Sequence, residues 1–351
     1  MKTIPKIKKE LFEIAGIPLK QYSNIIVIAE IASSHEGNKD IALDLLKAAY
    51  EAGADFIKFQ VFSANELLTP NCQKFKDFQE IELDEREWKE IFQECKAMNY
   101  PFIAEIFDDR SFKLVDQHNP AAYKIHSTDL TNPVILEKVA LSDKPILLSC
   151  GGSTIEEIKY AVDYIELKNN YKIILMHGFQ AFPTNLKDTF LNEINTLKQK
   201  FLYPIGYADH IDAETKDSIT LPIAAIGLGA SVIEKHITLN RSLKGRDYYS
   251  AMNPDEFAEL IIRIKNISIS IGEPRNRFTQ AEIKYRNLMK KSIVASKNVG
   301  KGEIITESDI SFKRTPNPGI PPDEYKRVVG YTTKKRIKKN TLINKGDIIN
   351  L

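Results

Sequence analysis

Five of the six histidines in this chain lie at, or just beyond, the carboxyl ends of short apolar runs. The five are His35, His126, His177, His210 and His236, and the sixth is His118. Imidazole binds metal ions and transfers protons near neutral pH. If the runs are parallel strands, their carboxyl ends open on one face, which in an α/β barrel carries the active site. The placement of the histidines therefore indicates an enzyme.

Two of these histidines end neighbouring predicted strands, in Gly206-Tyr-Ala-Asp-His210 and Glu234-Lys-His236. Strands in a sheet lie about 5 Å apart, so both imidazoles can reach one ion. Two imidazoles without thiolates suit a borderline divalent metal, for which we expect Mn²⁺, with Mg²⁺ or Co²⁺ as alternatives. Glu234 shares a side of its strand with His236, so it is a candidate further ligand or catalytic base. The structural alternative is that each histidine is a satisfied polar residue near the core.

Lysines occur at matching positions on two other predicted strands. Lys58 and Gln60 share one face at the end of the second strand, and Lys124 and His126 do the same at the end of the fourth. A lysine inside a barrel needs an anion, and a phosphate or carboxylate of the substrate would provide one. The hydroxyl donors expected beside that anion are Ser127 and Ser149.

Two other interpretations of these lysines stay open. Lys58 with Glu30, and Lys124 with Glu105, would form internal ion pairs that need no ligand. Schiff-base chemistry at a barrel lysine is a further option, but it would not require the histidine pair.

The elements that would position these residues are short apolar runs separated by helical stretches. Eight strands are predicted: Ile25–Ala29, Phe56–Gln60, Phe102–Ile106, Ala121–Ile125, Pro145–Ser149, Lys172–His177, Pro204–Ala208 and Ser231–His236. Eight β/α units indicate a closed parallel barrel. An open doubly wound sheet would usually carry a glycine-rich phosphate loop after its first strand, where this chain has Ala32-Ser-Ser-His-Glu-Gly37. We therefore favour a (β/α)8 TIM barrel.

The barrel domain is predicted to cover residues 1–272, with a small hairpin at Leu11–Pro18 that could close its amino-terminal end. A charged linker over residues 273–288 follows. From residue 289 to residue 351, short alternating strands and turn signals predict a small, mostly-β domain. From Tyr285 onward the chain has fifteen Lys and Arg against six Asp and Glu. These basic residues are scattered without aromatic stacking partners, so we expect them to cover a site for anionic substrates and not to bind nucleic acid.

Composition narrows the class of protein further. The longest uncharged stretch, Ser218–Ile233, is too short and too interrupted by proline and glycine to span a membrane. The first ten residues are charged and lack an apolar signal core, so we expect a cytoplasmic protein. Three cysteines without CxxC spacing indicate reduced thiols and neither a zinc site nor a disulfide framework.

Six segments resemble the sialic acid synthase family, which condenses phosphoenolpyruvate with an N-acylated amino sugar to give a nine-carbon 2-keto acid and phosphate. They are Ile28-Ala-Glu-Ile-Ala-Ser-Ser-His-Glu-Gly37, Gly53-Ala-Asp-Phe-Ile-Lys-Phe-Gln60, Tyr123-Lys-Ile-His-Ser127, Gly206-Tyr-Ala-Asp-His210, Ile233-Glu-Lys-His236 and Ser250-Ala-Met-Asn-Pro-Asp255. The basic tail resembles the antifreeze-like (SAF) domain of such synthases, in Lys290-Lys-Ser-Ile-Val-Ala295 and Lys313-Arg-Thr-Pro-Asn-Pro-Gly319. The resemblance covers nearly the whole chain and implies a TIM barrel followed by an SAF domain.

The resemblance implies a role for each matching residue. His210 and His236 are the expected metal ligands. The expected contacts to phosphoenolpyruvate are Lys58, Lys124, Ser127 and Ser149, with Gln60 beside them. Glu30 and Asp247 are expected to hold sugar hydroxyls, and Arg314 to reach the N-acyl group from the SAF domain. In dimers of the family that arginine crosses into the partner's barrel, so a homodimer is expected.

The implied mechanism begins with a metal on the aldehyde oxygen of the open-chain sugar. The enol carbon of phosphoenolpyruvate attacks this aldehyde, water adds at C2, and phosphate leaves. Either Glu234 or a metal-bound water would handle the proton.

Three positions depart from the family pattern on the side of the site that holds substrate. His126 stands where glycine or alanine is usual, Gln180 replaces an expected asparagine, and Phe182 lacks a tyrosine hydroxyl. The acceptor therefore stays open between N-acetylmannosamine and a 2,4-diacetamido-trideoxy hexose. Condensation with a different aldose, and a catalytically silent sugar-binding barrel, are the alternative functions.

Overall fold

The computed structural model describes residues 12–19, 24–272 and 275–349. Its contacts divide the chain into two compact units, Met1–Glu273 and Pro274–Leu351. Predictions that concern residues 1–11, including the first residue of the expected hairpin, lie outside the described residues, as do the first two residues of the expected linker.

In the first unit, the described strands are β1 (Glu13–Ile14), β2 (Ile17–Pro18), β3 (Ile26–Glu30), β4 (Phe56–Val61), β5 (Phe102–Ile106), β6 (Ala122–Ile125), β7 (Ile146–Ser149), β8 (Ile173–His177), β9 (Ile205–Asp209), β10 (Ala230–Ile237) and β11 (Ala251–Met252). The helices are α1 (Lys39–Ala52), α2 (Ala64–Leu67), α3 (Phe75–Ile81), α4 (Glu85–Ala97), α5 (Asp109–Asp116), α6 (Pro133–Leu141), α7 (Ile155–Leu167), α8 (Glu193–Phe201), α9 (Asp217–Leu228) and α10 (Pro254–Ile271). Strands β3 to β10 pair in parallel in chain order, and β10 pairs with both β9 and β3. The sheet is therefore a closed barrel, and all eight predicted strands are confirmed to within one residue at each end.

The helices between the strands begin where the sequence signals a cap. Asn38 accepts hydrogen bonds from two first-turn amides of α1, and Gly53 ends that helix with a φ of 88°. A capping box starts α7, with Thr154 and Glu157 as its two members. Among the described residues, no helix is long and apolar enough to cross a membrane.

The amino-terminal half of the barrel interior is filled by apolar side chains. This lower layer consists of Ile26, Ile28, Phe56, Ile103, Ala122, Leu147, Ile174, Met176, Ala208 and Val232. Strands β1 and β2 form an antiparallel hairpin, and Ile14 and Leu19 pack against the lower layer. The hairpin thus closes the amino-terminal end of the barrel.

The second unit is small and mostly β, as predicted. It contains helix α11 (Gln280–Met289) and strands β12 (Lys291–Ala295), β13 (Ile310–Arg314), β14 (Thr332–Thr333) and β15 (Ile348–Ile349). The strands pair as two antiparallel ladders over a core that includes Ile293, Val328 and Ile343. Helix α11 occupies the segment that the sequence predicted as a charged linker. A capping box between Thr279 and Glu282 starts it.

Candidate active site

The inward face of the barrel changes from apolar to ionic between the lower layer and the strand ends. A charged residue stands two positions after each of five lower-layer side chains. These five residues, which we call the upper layer, are Glu30, Lys58, Glu105, Lys124 and Glu234. Each is buried, with an exposed fraction of 4% or less. Because side chains alternate along a strand with a period of two, the same faces of the same strands carry both layers.

Lys58 lies at the centre of the upper layer. Its Nζ contacts carboxylate oxygens of Glu105 at 2.5 Å and of Glu234 at 3.4 Å, and it also pairs with Glu30. Lys124 pairs with Glu234 at 2.6 Å and lies 3.9 Å from Glu105. The Lys58–Glu30 ion pair weighed from the sequence is therefore present. Lys124 takes Glu234 as its nearer partner, where the sequence suggested Glu105.

For Glu105, Glu234 and Lys124, attraction between opposite charges in the upper layer outweighs the effect of burial on the pKa. Burial favours the neutral carboxyl, yet attraction to Lys124 and Lys58 lowers the pKa of Glu105 and that of Glu234. Burial also opposes the Lys124 ammonium, but the two carboxylates raise its pKa to about 12. For Lys58, burial outweighs its neighbours and lowers the pKa. Lys124 is thus the firmer cation of the two.

Three carboxylates face two ammonium groups in the upper layer, so negative groups are in excess. Glu105 Oε1 and Glu234 Oε2 are buried without a hydrogen-bond partner. Buried acceptors without a partner are costly, and they mark where a cation or a proton donor would bind. Sequence reasoning gave Glu105 only as an alternative partner of Lys124. Its alternation with Ile103 was the signal that places it on the inward face.

His210 and His236 lie side by side at the carboxyl ends of β9 and β10, with ring centroids 5.3 Å apart. His210 Nδ1 lies 2.9 Å from the carbonyl oxygen of Phe179. A contact of this kind places the ring proton on Nδ1 and leaves the Nε2 lone pair available. His236 Nδ1 is buried without a hydrogen-bond partner.

Both imidazoles of this pair are neutral near pH 7. Burial lowers the pKa of His210 to about 4. Burial, followed by the proximity of His210, holds the pKa of His236 well below its usual range. Neutral imidazole is the form that binds metals, and a buried ring nitrogen without a partner is a group that a metal would satisfy. The pair therefore fits two ligands of a borderline divalent ion.

Glu234 does not add a third ligand to this pair. In the described parts of the chain, no cluster of three His, Cys, Asp or Glu side chains is arranged to hold an ion. Glu234 Oε1 is instead paired with Lys124. Water and substrate oxygens would have to complete the coordination, which leaves Glu234 as a candidate base.

The other histidines at strand ends have different surroundings. His35 is buried and packs edge-on against Trp88, on the helix side of the barrel wall. His177 Nε2 lies 2.8 Å from the carbonyl oxygen of Thr189 and anchors the loop after β8. His126 is half-buried in the loop after β6. Fewer histidines therefore share the site than the sequence suggested, because His35 accepts a hydrogen bond from the Gly37 amide in its own loop and His177 holds the loop after β8.

A cavity of about 360 Å³ opens beside the loops that follow β6, β7 and β8. Its lining includes His126, Ser127, Gly151 and Gln180. A Cβ atom at position 151 would lie 2.0 Å from the carbonyl oxygen of Gly178, so two of these loops meet where only glycine fits. The structure thus brings the predicted contacts Ser127 and Gln180 into one cavity.

The remaining predicted site residues are spread more widely. Gln60 Nε2 lies 3.5 Å from Glu105, at the edge of the upper layer. Ser149 is buried at the end of β7. Asp247 accepts a hydrogen bond from the Ser33 amide at 2.9 Å and ties together two loops at the carboxyl face. Arg314 is exposed at the end of β13 and belongs to the second unit.

Phe182 contacts the histidine pair directly. Its ring centroid lies 4.6 Å from that of His210 and 6.4 Å from that of His236. The side chain is also 51% exposed, and the same loop carries the exposed rings of Phe179 and Phe190, which contact each other. The sequence showed only that a hydroxyl is missing here. The structure shows an apolar surface at the histidine pair.

A closed barrel with an ionic upper layer and a histidine pair at its carboxyl face defines an enzyme of the barrel class. Residues 45–276 match the NeuB family, and residues 290–349 match the SAF domain. The chain therefore belongs to the NeuB family, and the predicted resemblance to the sialic acid synthases with their SAF domain is confirmed.

Relatives and solved structures agree with this assignment. The chain is 32% identical to the N,N'-diacetyllegionaminic acid synthase of Campylobacter jejuni, over 91% of this chain and 98% of that one. It is 30% identical to the pseudaminic acid synthase of Helicobacter pylori, over 92% and 97%. The sialic acid synthetase of Leptospira borgpetersenii serovar Hardjo-bovis, solved with citrate, matches with a TM-score of 0.73 at 30% identity, over 80% of this chain and 98% of that one. The predicted enzyme class, a sialic-acid-type nonulosonate synthase, is confirmed.

Proposed function

We propose that this protein condenses phosphoenolpyruvate with an N-acylated amino sugar, giving a nine-carbon 2-keto sugar acid and phosphate. The observation that carries the proposal is the buried ionic upper layer next to a neutral histidine pair, at the face where barrel enzymes work. The similarity to synthases of legionaminic, pseudaminic and sialic acids supports it.

Lys124 is the group best suited to bind the phosphoenolpyruvate anion. Its pKa of about 12 keeps it cationic, and it is 4% exposed whereas Lys58 is fully enclosed. Ser127 at the cavity and Ser149 at the end of β7 add hydroxyl donors for the anion's oxygens. Lys58 contributes positive charge from beneath and fixes the three carboxylates around it.

The carbon chemistry then follows from a bound, oriented enol phosphate. C3 of phosphoenolpyruvate forms a bond to the acceptor's aldehyde carbon, the C=O π bond of the aldehyde breaks with its electron pair passing to the oxygen, and positive charge develops at C2. Water adds at C2, the bond from C2 to the phosphate oxygen breaks, and phosphate leaves as the ketone forms. The excess carboxylates of the upper layer stabilise the positive charge that develops at C2. Glu234 Oε2, which has no hydrogen-bond partner, is the proposed acceptor for the proton of the water.

His210 and His236 are the proposed holders of a divalent metal, with Mn²⁺ expected and Mg²⁺ or Co²⁺ as alternatives. When bound, this ion supplies Lewis acidity toward the acceptor's aldehyde oxygen. The Phe179 carbonyl orients the His210 ring, and the ring of Phe182 keeps water from one side of the pair.

The acceptor is proposed to be a 2,4-diacetamido-trideoxy hexose, with N-acetylmannosamine as the alternative. The apolar ring of Phe182 at the histidine pair favours a sugar with fewer hydroxyls. Glu30 and Asp247 would hold the hydroxyls that remain.

Arg314 is proposed to bind the N-acyl group of the acceptor, and the protein to act as a homodimer in which the SAF domain of one copy covers the barrel of the other. Arg314 is exposed on its domain and is thus available to a substrate. The excess of basic residues in that domain suits an anionic site. We also propose that the enzyme works in the cytoplasm, since Cys72, Cys95 and Cys150 are all unpaired.

Product analysis by mass spectrometry tests this function. Metal-loaded protein is incubated with phosphoenolpyruvate and, separately, with N-acetylmannosamine, a 2,4-diacetamido-trideoxy hexose, and arabinose 5-phosphate. We expect a nine-carbon keto acid from the diacetamido sugar, and its loss when EDTA is added. A product from arabinose 5-phosphate alone would instead assign condensation with a different aldose.

A further inference from the structure

A second ion pair lies directly behind the histidine pair, on the outer face of the barrel wall. Lys235 Nζ and Asp209 Oδ2 are 2.6 Å apart, and both side chains have no exposed surface. Each residue is the immediate chain neighbour of one histidine of the pair. Since neighbouring residues on a strand point to opposite faces, this ion pair and the histidines lie on the two sides of the same two strand ends.

The Asp209 carboxylate reaches over His210 along the chain. Its Oδ1 accepts a hydrogen bond from the Ile211 amide at 3.2 Å and another from the Tyr207 hydroxyl at 2.9 Å. Its other oxygen, Oδ2, accepts a hydrogen bond from the Lys235 ammonium group. One carboxylate thus fixes the backbone just after His210, holds the Tyr207 hydroxyl before it, and ties this strand end to β10.

The ion pair lies at the point where the backbone pairing between β9 and β10 ends. The last pair in register between β9 and β10 is Asp209 with Lys235. His210 lies beyond the end of β9. No further β9–β10 pairing therefore fixes the distance between His210 and His236.

We infer that Asp209 and Lys235 are positioning residues, whose ion pair sets the separation and direction of the two imidazoles so that both can bind one metal ion. The inference rests on the metal assignment made above for His210 and His236. Ligands must be held to within about 0.5 Å for a site to work, and supporting contacts behind the ligands provide that precision. The His210 backbone is held as well by the Thr184 amide and the Ser250 hydroxyl, which donate hydrogen bonds to its carbonyl oxygen at 2.8 Å and 2.7 Å.

An ion pair that served only general stability would behave differently. Its loss would weaken the barrel as a whole and leave metal binding by the folded protein unchanged. A pair of double variants separates the two roles without leaving a buried charge alone.

The first double variant is Asp209→Asn with Lys235→Met, which keeps the acceptor for Tyr207 and Ile211 but removes the contact between the strands. The second is Asp209→Asn with Lys235→Gln, which is equally uncharged but can restore a neutral hydrogen bond between the strands. Tyr123→Phe, which removes a hydrogen bond to Asp116 on the outer face of β6, is the control for loss of a buried contact elsewhere.

Mn²⁺ dissociation constants are measured by electron paramagnetic resonance on the full chain, alongside the thermal midpoint and the KM for phosphoenolpyruvate. We expect the methionine variant to bind Mn²⁺ about 10- to 100-fold more weakly, the loss typical of contacts that orient ligands. The glutamine variant and Tyr123→Phe should stay close to the wild-type Kd, and the KM for phosphoenolpyruvate should change little in all three.

Wild-type Mn²⁺ affinity in the methionine variant would overturn the positioning role, because that variant lacks the contact between the strands. Failure of the wild-type protein to bind Mn²⁺ would overturn the metal assignment and this inference with it. Phosphate release without Mn²⁺ binding would show that the proposed condensation stands although the metal site does not.

Discussion

The lower and upper layers of the barrel interior lie on the same faces of the same strands, two residues apart, and they differ in almost every property. The lower layer is apolar and packs against the hairpin that closes the barrel. The upper layer is a cluster of five buried charges with unsatisfied carboxylate oxygens. The two layers thus differ only because the inward-facing side chains change from apolar to charged two residues further along each of these strands.

The difference shows that the lower layer stabilises the fold, whereas the upper layer adds little to stability. Burial of apolar surface stabilises the fold by roughly 25 cal/mol per Å². A buried cluster of charges is often no more stable than an apolar replacement of the same volume. We therefore expect changes in the lower layer to act on folding, and changes in the upper layer and at the histidine pair to act on chemistry.

The largest effect is expected at the histidine pair itself. His236→Ala should lower metal-dependent turnover by about 10³-fold or more, because it removes one of two ligands of an ion that stabilises transition-state charge by several kcal/mol. The fold should persist, since His236 makes no hydrogen bond through Nδ1. Phosphate release and circular dichroism measure the two properties.

His177→Gln is the matched control for that change. His177 also ends a strand, but it serves to anchor the loop at Thr189. Turnover should stay within a few-fold of the wild type and Mn²⁺ should still bind. If both variants lost activity equally, the division between metal-binding and loop-anchoring histidines would be wrong.

Lys124→Met and Phe56→Ala set one layer directly against the other. Loss of the Lys124 ammonium should lower kcat/KM by about 10²- to 10³-fold, as is common when one charge-stabilising donor is removed. Phe56→Ala should destabilise the barrel by about 3–5 kcal/mol through the cavity it leaves, and the folded enzyme should keep its KM values. Steady-state kinetics and urea unfolding on both variants test the contrast. A Phe56→Ala enzyme that is as stable as the wild type but inactive would contradict the assignment of the lower layer to folding and of the upper layer to chemistry.

Much of this contrast was predictable from the sequence, and the reason is local. Each strand of the barrel contains a short apolar run, and period-two alternation already placed Lys58 and Lys124 on the inward face. The same alternation held the signal for Glu105. In the second unit, the helix at Gln280–Met289 was missed because charged residues alternate with its apolar ones over residues 281–286, and none of its side chains is buried.

Contacts made by loops, and contacts between distant strands, could not be predicted from the periodicity of the sequence. The position of Phe182 against His210 depends on a loop whose path no periodicity describes. The pairing of Lys124 with Glu234 joins side chains 110 residues apart, and it follows from closure of the barrel, which sets which strand ends face each other. The residue types in the sequence indicated which side chains form the site. Which of these side chains contact each other could be learned only from the folded structure.

The pH dependence of folding should also separate the histidine pair from the lower layer, with a smaller effect. The unfolded chain binds a proton at His210 with a pKa of about 6.5, whereas burial lowers the folded pKa to about 4. Between these values the unfolded state binds more protons, so stability falls as pH falls. From pH 7 to pH 5 this histidine should cost the metal-free protein about 2 kcal/mol.

Urea unfolding with EDTA at pH 5, 6 and 7 measures that slope, and His210→Asn should flatten it. Ile174→Val in the lower layer should lower stability equally at every pH, because no titrating group is changed. Parallel curves for wild type and His210→Asn would show that the histidine is not held neutral by burial.

The smallest effect is expected outside the barrel. Arg314→Ala should raise the KM of the amino sugar by about tenfold, the loss of one charge-assisted hydrogen bond. The KM of phosphoenolpyruvate should stay nearly constant, because its proposed contacts are in the barrel. Lys313→Ala, the exposed neighbour on β13, is the control. Equal effects of Arg314→Ala on both substrates would remove this arginine from the acceptor site.

Phosphate release from phosphoenolpyruvate, followed together with phosphoenolpyruvate binding by calorimetry, tests the central claim most directly. The protein is loaded with Mn²⁺, and release is measured with and without an amino-sugar acceptor and with EDTA. The ionic upper layer and the histidine pair predict release that requires both the acceptor and the metal. If the folded protein binds the metal and phosphoenolpyruvate yet releases no phosphate with any acceptor, the barrel is a silent sugar-binding protein and the claim fails.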